Sequence, residues 1–583
     1  MEPDIDAAAP SPGLRPGIEI GAIAAAVLLF ASPLLTGRVL VGYDVISYLI
    51  MGQQTGANLR AGLLLPAWAV DLNCGFGSPA LLLYPPLLNF VHGVVLLAGV
   101  PLVVGVTLLA AAVWIASGIA VWSWLRVFQA PAALAGALVY VTAPYRLYDV
   151  YERGALSEHW SFLWVPLILL AAIHPRPSPS LRAALVALGT AALILTSIPF
   201  AVLFGLLMVA WFFFDDTLRG RRGPVIAGAL LGGFLSSFAL VPQALASRWV
   251  MTELFYSAGA ERFRPSHNTI FLGADSLAIS AAFLVMLGLL LIALLLALRA
   301  GGGATRRIRP WAIAGAIAFA AALPGIGVLW DVAPILSKIQ FPWRSAGPLT
   351  LCAAVAVALV KDRRHALAVA VVAALAGVSY AGRMSEPYAI FPAGPIPPHT
   401  TAAPDPAAVA EAGGVARLTF DPLRGEAAPL APAVRHTDLQ RFLLEMWFIP
   451  RGVTAPVRAA IAGMFPPSLE PLRQNPAILV GMASAPVRVT RWSRLERSVR
   501  FDAPAPAILL WRSVSFPGME ARLDGHFAAS FQDPATGLFA MRVPAGAHEA
   551  TWRWSAPTPL SVGRWLSLAA LIVLIAIFLR ALV

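Results

Sequence analysis

Long apolar runs nearly free of ionisable residues recur along most of this chain, and they restrict its fold more than any other feature. About 20 such residues, wound as an α-helix, cross the ~30 Å hydrocarbon core of a bilayer. Their weight shows in a mean hydropathy of +0.75. The charged fraction is 12%, about half the ~25% of soluble globular domains. A soluble cytosolic fold is excluded.

Runs bounded by polar residues or by Pro and Gly fall near 18–36, 102–125, 130–145, 160–174, 182–198, 200–214, 224–246, 276–298, 311–329, 346–360, 366–382 and 562–582. They predict a polytopic α-helical membrane protein of about twelve transmembrane helices, with a cytoplasmic tail at 1–17, a membrane domain at 18–382 and a C-terminal helix at 561–583. The stretch Leu81–Leu97 contains Pro85, Pro86, Asn89 and His92, and reads as a re-entrant or surface helix. Alternate loops then carry Arg126; Arg176 and Arg182; Arg219, Arg221 and Arg222; Arg299, Arg306, Arg307 and Arg309; and Lys361, Arg363 and Arg364. The positive-inside rule puts these loops and both termini in the cytoplasm. The tail holds Glu2, Asp4 and Asp6 against Arg15 alone, unlike the cationic start of a cleaved signal peptide, so the first helix is expected to be retained.

A first loop, 38–101, and a block at 383–560 remain on the extracytoplasmic side. The second half of the block alternates apolar and polar residues over Arg488–Trp492, Ser498–Asp502 and Ile508–Ser513. Turn signals stand at Asp524-Gly525 and Pro544-Ala545-Gly546, and His548–Trp554 reads as a closing strand. A small antiparallel β-sandwich is expected there.

Several function classes drop out. All but two of the 42 basic residues are arginine and most sit in short loops, so the net charge of +12 is a topology signal and implies no nucleic-acid partner. Cys74 and Cys352 form no metal or disulfide framework. No G-x-x-x-x-G-K-[ST] cradle is present, which removes ATP-driven transport by this chain alone. His159, His267 and His548 lack metal-ligand spacing, so no metal site is expected, although a divalent cation on carboxylates stays open. The spans also lack the midplane carboxylates of proton-coupled carriers.

Ionisable residues gather instead at the outer helix ends: Asp44 and Asp71 in the first loop; Arg146, Asp149, Glu152, Arg153, Glu158 and His159; Arg248, Glu253, Arg262 and Arg264; and Lys338 with Arg344. Carboxylates can serve as general bases for hydroxyls, and arginine suits phosphate. Simple solvation of outer loops is the competing explanation for each residue.

The segment Tyr145-Arg146-Leu147-Tyr148-Asp149-Val150-Tyr151-Glu152-Arg153-Gly154-Ala155-Leu156-Ser157-Glu158 resembles the "Y-R-x-x-D-x-Y-x-R-G-A-x-x-E" string of the bacterial 6-pyruvoyl-tetrahydropterin synthase-related membrane family, which itself resembles GT-C type glycosyltransferases. Gly42-Tyr43-Asp44, Leu65-Pro66-Ala67-Trp68 and Gly75-Phe76-Gly77-Ser78-Pro79 are similar to that group's first outer loop, and Gln340-Phe341-Pro342-Trp343-Arg344 to its "Q-F-P-W-R" string. Glu445-Met446-Trp447-Phe448-Ile449-Pro450 is a looser likeness to "E-Y-L-P", and the strings at Phe516, Leu523 and Val543 resemble a terminal outer domain of such proteins.

The resemblance implies a membrane glycosyltransferase in the bacterial cytoplasmic membrane. It would take a polyprenyl-phosphate-linked sugar from among membrane lipids to an envelope glycan, lipid or protein acceptor. Asp44 would be the base, with Asp149, Glu158 and Asp71 as substitutes. Arg344 would hold the lipid phosphate, seconded by Arg153, Arg146 and Lys338, with Tyr43, Asp71 and Trp343 toward the acceptor or sugar. Asp44 could instead cap a helix, Arg344 could anchor at the interface beside Trp343, and Arg146 and Arg153 could simply pair with Asp149 or Glu152. Trp511, Trp552 and Trp554 could form a sugar-stacking face or a core. A non-catalytic transporter or envelope scaffold is the alternative to an enzyme.

Overall fold

The computed structural model describes residues 15–36, 44–65, 68–70, 72–73, 75–214, 216–251, 265–272, 276–301, 303–384, 448–461, 467, 469, 471–472, 475, 477–481 and 486–582. Each apolar run read from the sequence contains a helix: α1 (Pro16–Ala31), α5 (Leu102–Val127), α6 (Ala133–Thr142), α8 (Leu156–Ile173), α9 (Pro179–Thr196), α10 (Ile198–Phe214), α11 with α12 (Arg222–Leu235, Ser237–Ala246), α13 (Ser276–Ala300), α14 with α15 (Gly303–Ala321, Pro324–Val332), α16 (Ala346–Ala358), α17 (Arg363–Met384) and α19 (Thr558–Leu582).

Twelve full spans are not what these helices amount to. Among the described residues five are long and apolar enough to cross a bilayer, or seven if each of two bent pairs counts as one span. The α11–α12 pair bends by 59°. A bend frees backbone groups that lipid cannot satisfy. Ser567 of α19 supplies partners, its Oγ accepting from Phe238 N at 2.9 Å and donating to Leu235 O at 2.9 Å.

The segment 38–101, expected as a loop, is not one throughout. It contains α2 (Val45–Arg60), which the sequence reading left unassigned, then α3 (Ala80–Leu83) and α4 (Pro86–Leu97). The 12 residues of α4 reach only about 18 Å at 1.5 Å per residue, short of a bilayer core. Helix α2 lies against it through glycines: a Cβ on Gly93 would come within 2.8 Å of Gly56 N.

The Arg-rich loops and the acidic outer residues occupy opposite ends of the same helices. Arg182 donates to Ala171 O and Ala172 O at 2.9 and 2.6 Å, capping the C-terminal end of α8, whose first turn holds Glu158. Arg363 Nε reaches Pro131 O at 2.8 Å just before α6, and Arg344 lies just ahead of α16. Arg182 thereby satisfies carbonyls left free at the C-terminal end of α8.

The C-terminal region is a two-sheet antiparallel sandwich. One sheet orders β1 (Ala477–Leu479), β4 (Ala507–Val514), β8 (Leu538–Val543) and β7 (Ser530–Gln532) as β1-β4-β8-β7. The other orders β2 (Val487–Trp492), β3 (Glu496–Ala503), β9 (Gly546–Trp554), β5 (Met519–Leu523) and β6 (His526–Ala528) as β2-β3-β9-β5-β6. Asp524 and Gly525, at φ 50° and 82°, form the two-residue hairpin turn between β5 and β6. Trp511, Trp552 and Trp554 are buried in the core between the sheets, so they offer no sugar-stacking face.

Residues of the 38–101 segment belong to this core. Trp68 packs on Phe516 and Trp554 with ring centroids 5.5 and 6.3 Å apart. Val514 N bonds Phe76 O at 2.9 Å. The short α18 (Ala455–Ile461) joins the same cluster through Val457 and Ala460.

Candidate active site

After α6 the chain runs through the short helix α7 (Pro144–Leu147) and a π-turn, Tyr148–Arg153, that ends at Gly154 in the left-handed conformation. Glycine is required there twice over. Its φ of +61° disfavours a side chain, and an added Cβ would lie 2.0 Å from Val45 Cγ2. That close approach brings the start of α2 against the π-turn, where Asp44 N donates to Arg153 O at 2.7 Å.

Arg153 is the hub of the resulting cluster. Its Nη1 lies 2.7 Å from Glu158 Oε2 and 3.0 Å from Asp149 Oδ1, and its Nη2 lies 3.4 Å from Asp44 Oδ2. Glu158 also accepts from Arg344 Nε at 2.7 Å and from Tyr145 Oη at 3.0 Å. Arg344 donates Nη1 to Ile339 O as well. Four elements separated by up to 300 residues of sequence thus meet at one end of the bundle.

Aromatic faces back both cations. Phe341 and Trp343 stack at 4.9 Å with rings inclined 22°. Arg344 lies over Phe341 at 4.9 Å, and Arg153 over Trp343 at 4.8 Å. Gln340, at φ 67°, makes the reversal that lets residues 341 and 343 pair. A non-glycine residue in that region costs about 1–2 kcal/mol and is held only by its surroundings.

Exposure separates the three carboxylates. The side chain of Asp44 is 28% exposed, against 0% for Asp149 and 3% for Glu158. Asp44 stands at the N-cap of α2, yet its side chain makes no capping bond and points to Arg153 instead. Desolvation among surrounding protein atoms pushes its carboxyl above the ordinary value, while Arg153 and Arg344 pull it down. A raised carboxyl is a better base than a free aspartate. Arg344 is buried and bonded to Glu158, not extended to headgroups as an interfacial anchor would be.

The other candidates are placed elsewhere. Arg146 is fully buried inside the bundle, over Trp114, Tyr140 and Phe162 at 5.4, 5.8 and 4.9 Å, and meets none of the ion pairs of Arg153. Lys338 is exposed at the end of a short 3₁₀ turn, six residues before Arg344. Tyr43, Asp71, Glu253, Arg262, Arg264 and residues 445–447 lie outside the described residues. Among the described residues no group of three His, Cys, Asp or Glu side chains is placed to hold a metal ion.

The sequence reading missed a tyrosine pair. Tyr84, half-buried in the break between α3 and α4, donates to Tyr48 Oη at 3.2 Å, and Tyr48 lies 2.6 Å from Ser157 Oγ. Tyr48 was hidden because α2 was unassigned, although it sits one turn after Asp44, and Tyr84 lay in the 81–97 stretch without a motif to single it out.

No family model matches the chain, and the resemblance to the 6-pyruvoyl-tetrahydropterin synthase-related family has no support from that comparison. No curated protein matches its sequence. Among solved structures it is similar to the arabinofuranosyltransferase AftD from Mycobacteria, at 20% identity over 64% of this chain and a TM-score of 0.42. It spans 27% of that protein's length. It is also similar to ArnT from Cupriavidus metallidurans, solved bound to undecaprenyl phosphate, at 15% identity over 60% of this chain and 78% of that one, with a TM-score of 0.29.

Proposed function

We propose that this chain is a GT-C type glycosyltransferase of the bacterial cytoplasmic membrane. It moves a sugar from a polyprenyl-phosphate donor to an envelope glycan, lipid or protein acceptor on the extracytoplasmic face. The observation that carries the reading is the pairing of one partly exposed carboxylate, Asp44, with a buried two-arginine cluster at the helix ends opposite the Arg-rich loops. By the positive-inside rule those loops are cytoplasmic, which puts the cluster outside. Nucleotide sugars are made in the cytosol, so an outer site calls for a lipid-linked donor.

Asp44 takes the proton of the acceptor hydroxyl as that oxygen attacks the sugar's anomeric carbon. The bond to the phosphate oxygen breaks, and the electron pair leaves with polyprenyl phosphate. Arg344 and Arg153 face the charge that develops there, and Glu158 holds the two guanidinium groups in register. Tyr43, Asp71 and Trp343 are assigned to the acceptor or sugar side, and Lys338 to the approach of the anionic headgroup.

Complementation tests the reading. Envelope glycans and lipid-linked sugars are compared by mass spectrometry in a strain lacking the chain, restored with wild type or Asp44→Asn. A missing sugar returned only by wild type, with donor lipid accumulating otherwise, supports transfer. Unchanged glycans, or full rescue by the variant, would move the assignment to a transporter or scaffold.

A further inference from the structure

We propose that the β-domain clamps the helix carrying Asp44, with Arg494 as the positioning residue for that carboxylate. The proposal rests on the assignment of Asp44 above and adds to it the task of the outer domain.

Helix α2 has three faces with three different neighbours. Tyr48 turns toward Ser157 of α8, and Gly52 and Gly56 lie against His92 and Gly93 of α4. The remaining stripe, Ile50, Met51, Gln54 and Asn58, follows the one-turn spacing of a single helical face. That stripe meets the β-domain. Phe448, where the domain's described residues begin, packs in one cluster with Ile50 and Met51. Arg494, in the turn between β2 and β3, donates Nε to Asn58 Oδ1 at 2.8 Å and Nη2 to Gln54 Oε1 at 2.6 Å.

Gln54 and Asn58 are each 2% exposed, so the guanidinium stands where water cannot easily replace it. A forked donor suits this use: two amide oxygens one turn apart are held by one planar group. The far side of the clamp is equally firm. Within eight residues of the end of α2 the chain places Trp68 in the sandwich core, and Arg497 donates to Val70 O and Gly75 O at 3.4 and 3.5 Å. Helix α2 is therefore tied at its start to the catalytic π-turn and along its length to the outer domain. Helices α8 and α4 support its other two faces, and the outer domain completes the frame that holds Asp44 in line.

Hydrogen exchange of the full chain in detergent micelles reads the clamp directly. Arg494→Ala is expected to speed amide exchange in 45–60 by about tenfold, while β3 and β9 stay protected and show the sandwich still folded. Arg494→Lys, which keeps one donor, should fall between. With undecaprenyl-phosphate-linked donor, Arg494→Ala should lower kcat by about tenfold with the donor KM within about twofold. Replacing Gln54 and Asn58 together by Ala should do the same, and adding Arg494→Ala to that pair should cost nothing more. Unchanged exchange in 45–60 with a protected sandwich would overturn the clamp, as would loosened α2 with unaltered kcat. Full transfer by Asp44→Asn would instead overturn the base assignment, and exchange in 45–60 separates the two failures.

Discussion

Replacing Glu158 by Gln should damage stability far more than replacing Asp44 by Asn, and the contrast tests whether the two carboxylates have different tasks. Glu158 is 3% exposed and accepts from two guanidinium groups at 2.7 Å each. Hydrogen bonds to charged groups contribute about 1.5–3 kcal/mol apiece. Breaking a buried ion pair by removing one partner costs about 3–5 kcal/mol, because the other charge is left buried. Glutamine keeps the shape but turns an N–H₂ toward donors of Arg153, Arg344 or Tyr145, so the loss should lie near about 3–5 kcal/mol. Asp44 lies 3.4 Å from Arg153 and is 28% exposed, so its pairing should contribute about 0–1 kcal/mol. Its loss should instead slow transfer by about 10²–10⁴-fold, the usual range for a general base. Equilibrium unfolding in mixed detergent and SDS micelles, followed by tryptophan fluorescence, measures the first effect; donor turnover measures the second. A Glu158→Gln protein within about 1 kcal/mol of wild type would refute the reading of Glu158 as the strut of a dry cluster.

Gly154→Ala combines a left-handed residue with an overlap on Val45 Cγ2 and should cost about 2–5 kcal/mol by the same unfolding measurement. Adding Val45→Ala should return the part due to overlap and leave about 1–2 kcal/mol. The Asp44 carboxyl stands above its ordinary value of 3.8, and Arg344 is one of the groups that lower it. The acid limb of kcat/KM should therefore lie above that value and move to higher pH in Arg344→Gln; a shift to lower pH would contradict the assignment. In the sandwich, the hydrogen bond to Asp524 raises His548 from 6.5, while Glu549 N and His548 lower Asp524 from 3.8. The His548 contribution is complete below its unfolded value and fades as pH rises through the raised one. That of Asp524 is complete above its unfolded value and fades as pH falls through the lowered one. Amide exchange at the Asp524-Gly525 turn should thus be slowest between about pH 4 and 6.5 after correction for intrinsic rates.

The apolar helices were legible because lipid enforces one rule on a span, that it be a helix and an apolar one, while the number of full spans was not. Periodicity two and the Asp524-Gly525 turn made β2, β3, β4, β9 and the β5–β6 hairpin turn readable. Two things escaped. The sequence of α2 includes Gln53, Gln54, Thr55 and Asn58, too polar to score as a span and too uniform to score as an amphipathic helix. It is helical because neighbours cover it on three sides. Continuous apolar runs likewise concealed their breaks: Gly232, Gly233, Ser236 and Ser237 mark a weak point in 224–246, yet Ser567, which bonds Phe238 N and Leu235 O across the bend, lies more than 300 positions away.

The candidate site shows the same limit at finer scale. The motif resemblance offered both Arg146 and Arg153 to the phosphate, and their three- and four-residue spacing about Asp149 would put all three on one face of an α-helix. Asp149 and Arg153 do meet, at 3.0 Å. Arg146 does not join them, because the backbone widens into a π-turn from Tyr148 to Arg153 and turns the later residues out of the α-helical register. Arg153 is carried to the carboxylates and to Trp343, while Arg146 is left facing Trp114, Tyr140 and Phe162. Gly154 is the residue that makes the widened turn affordable, since it lets the chain reverse at once into α8 and present Glu158 to both guanidinium groups. The motif therefore encodes two buried arginine environments within eight residues, one ion-paired to three carboxylates and backed by Trp343, the other enclosed by Trp114, Tyr140 and Phe162. Substituting Gly154 should disturb the first and spare the second.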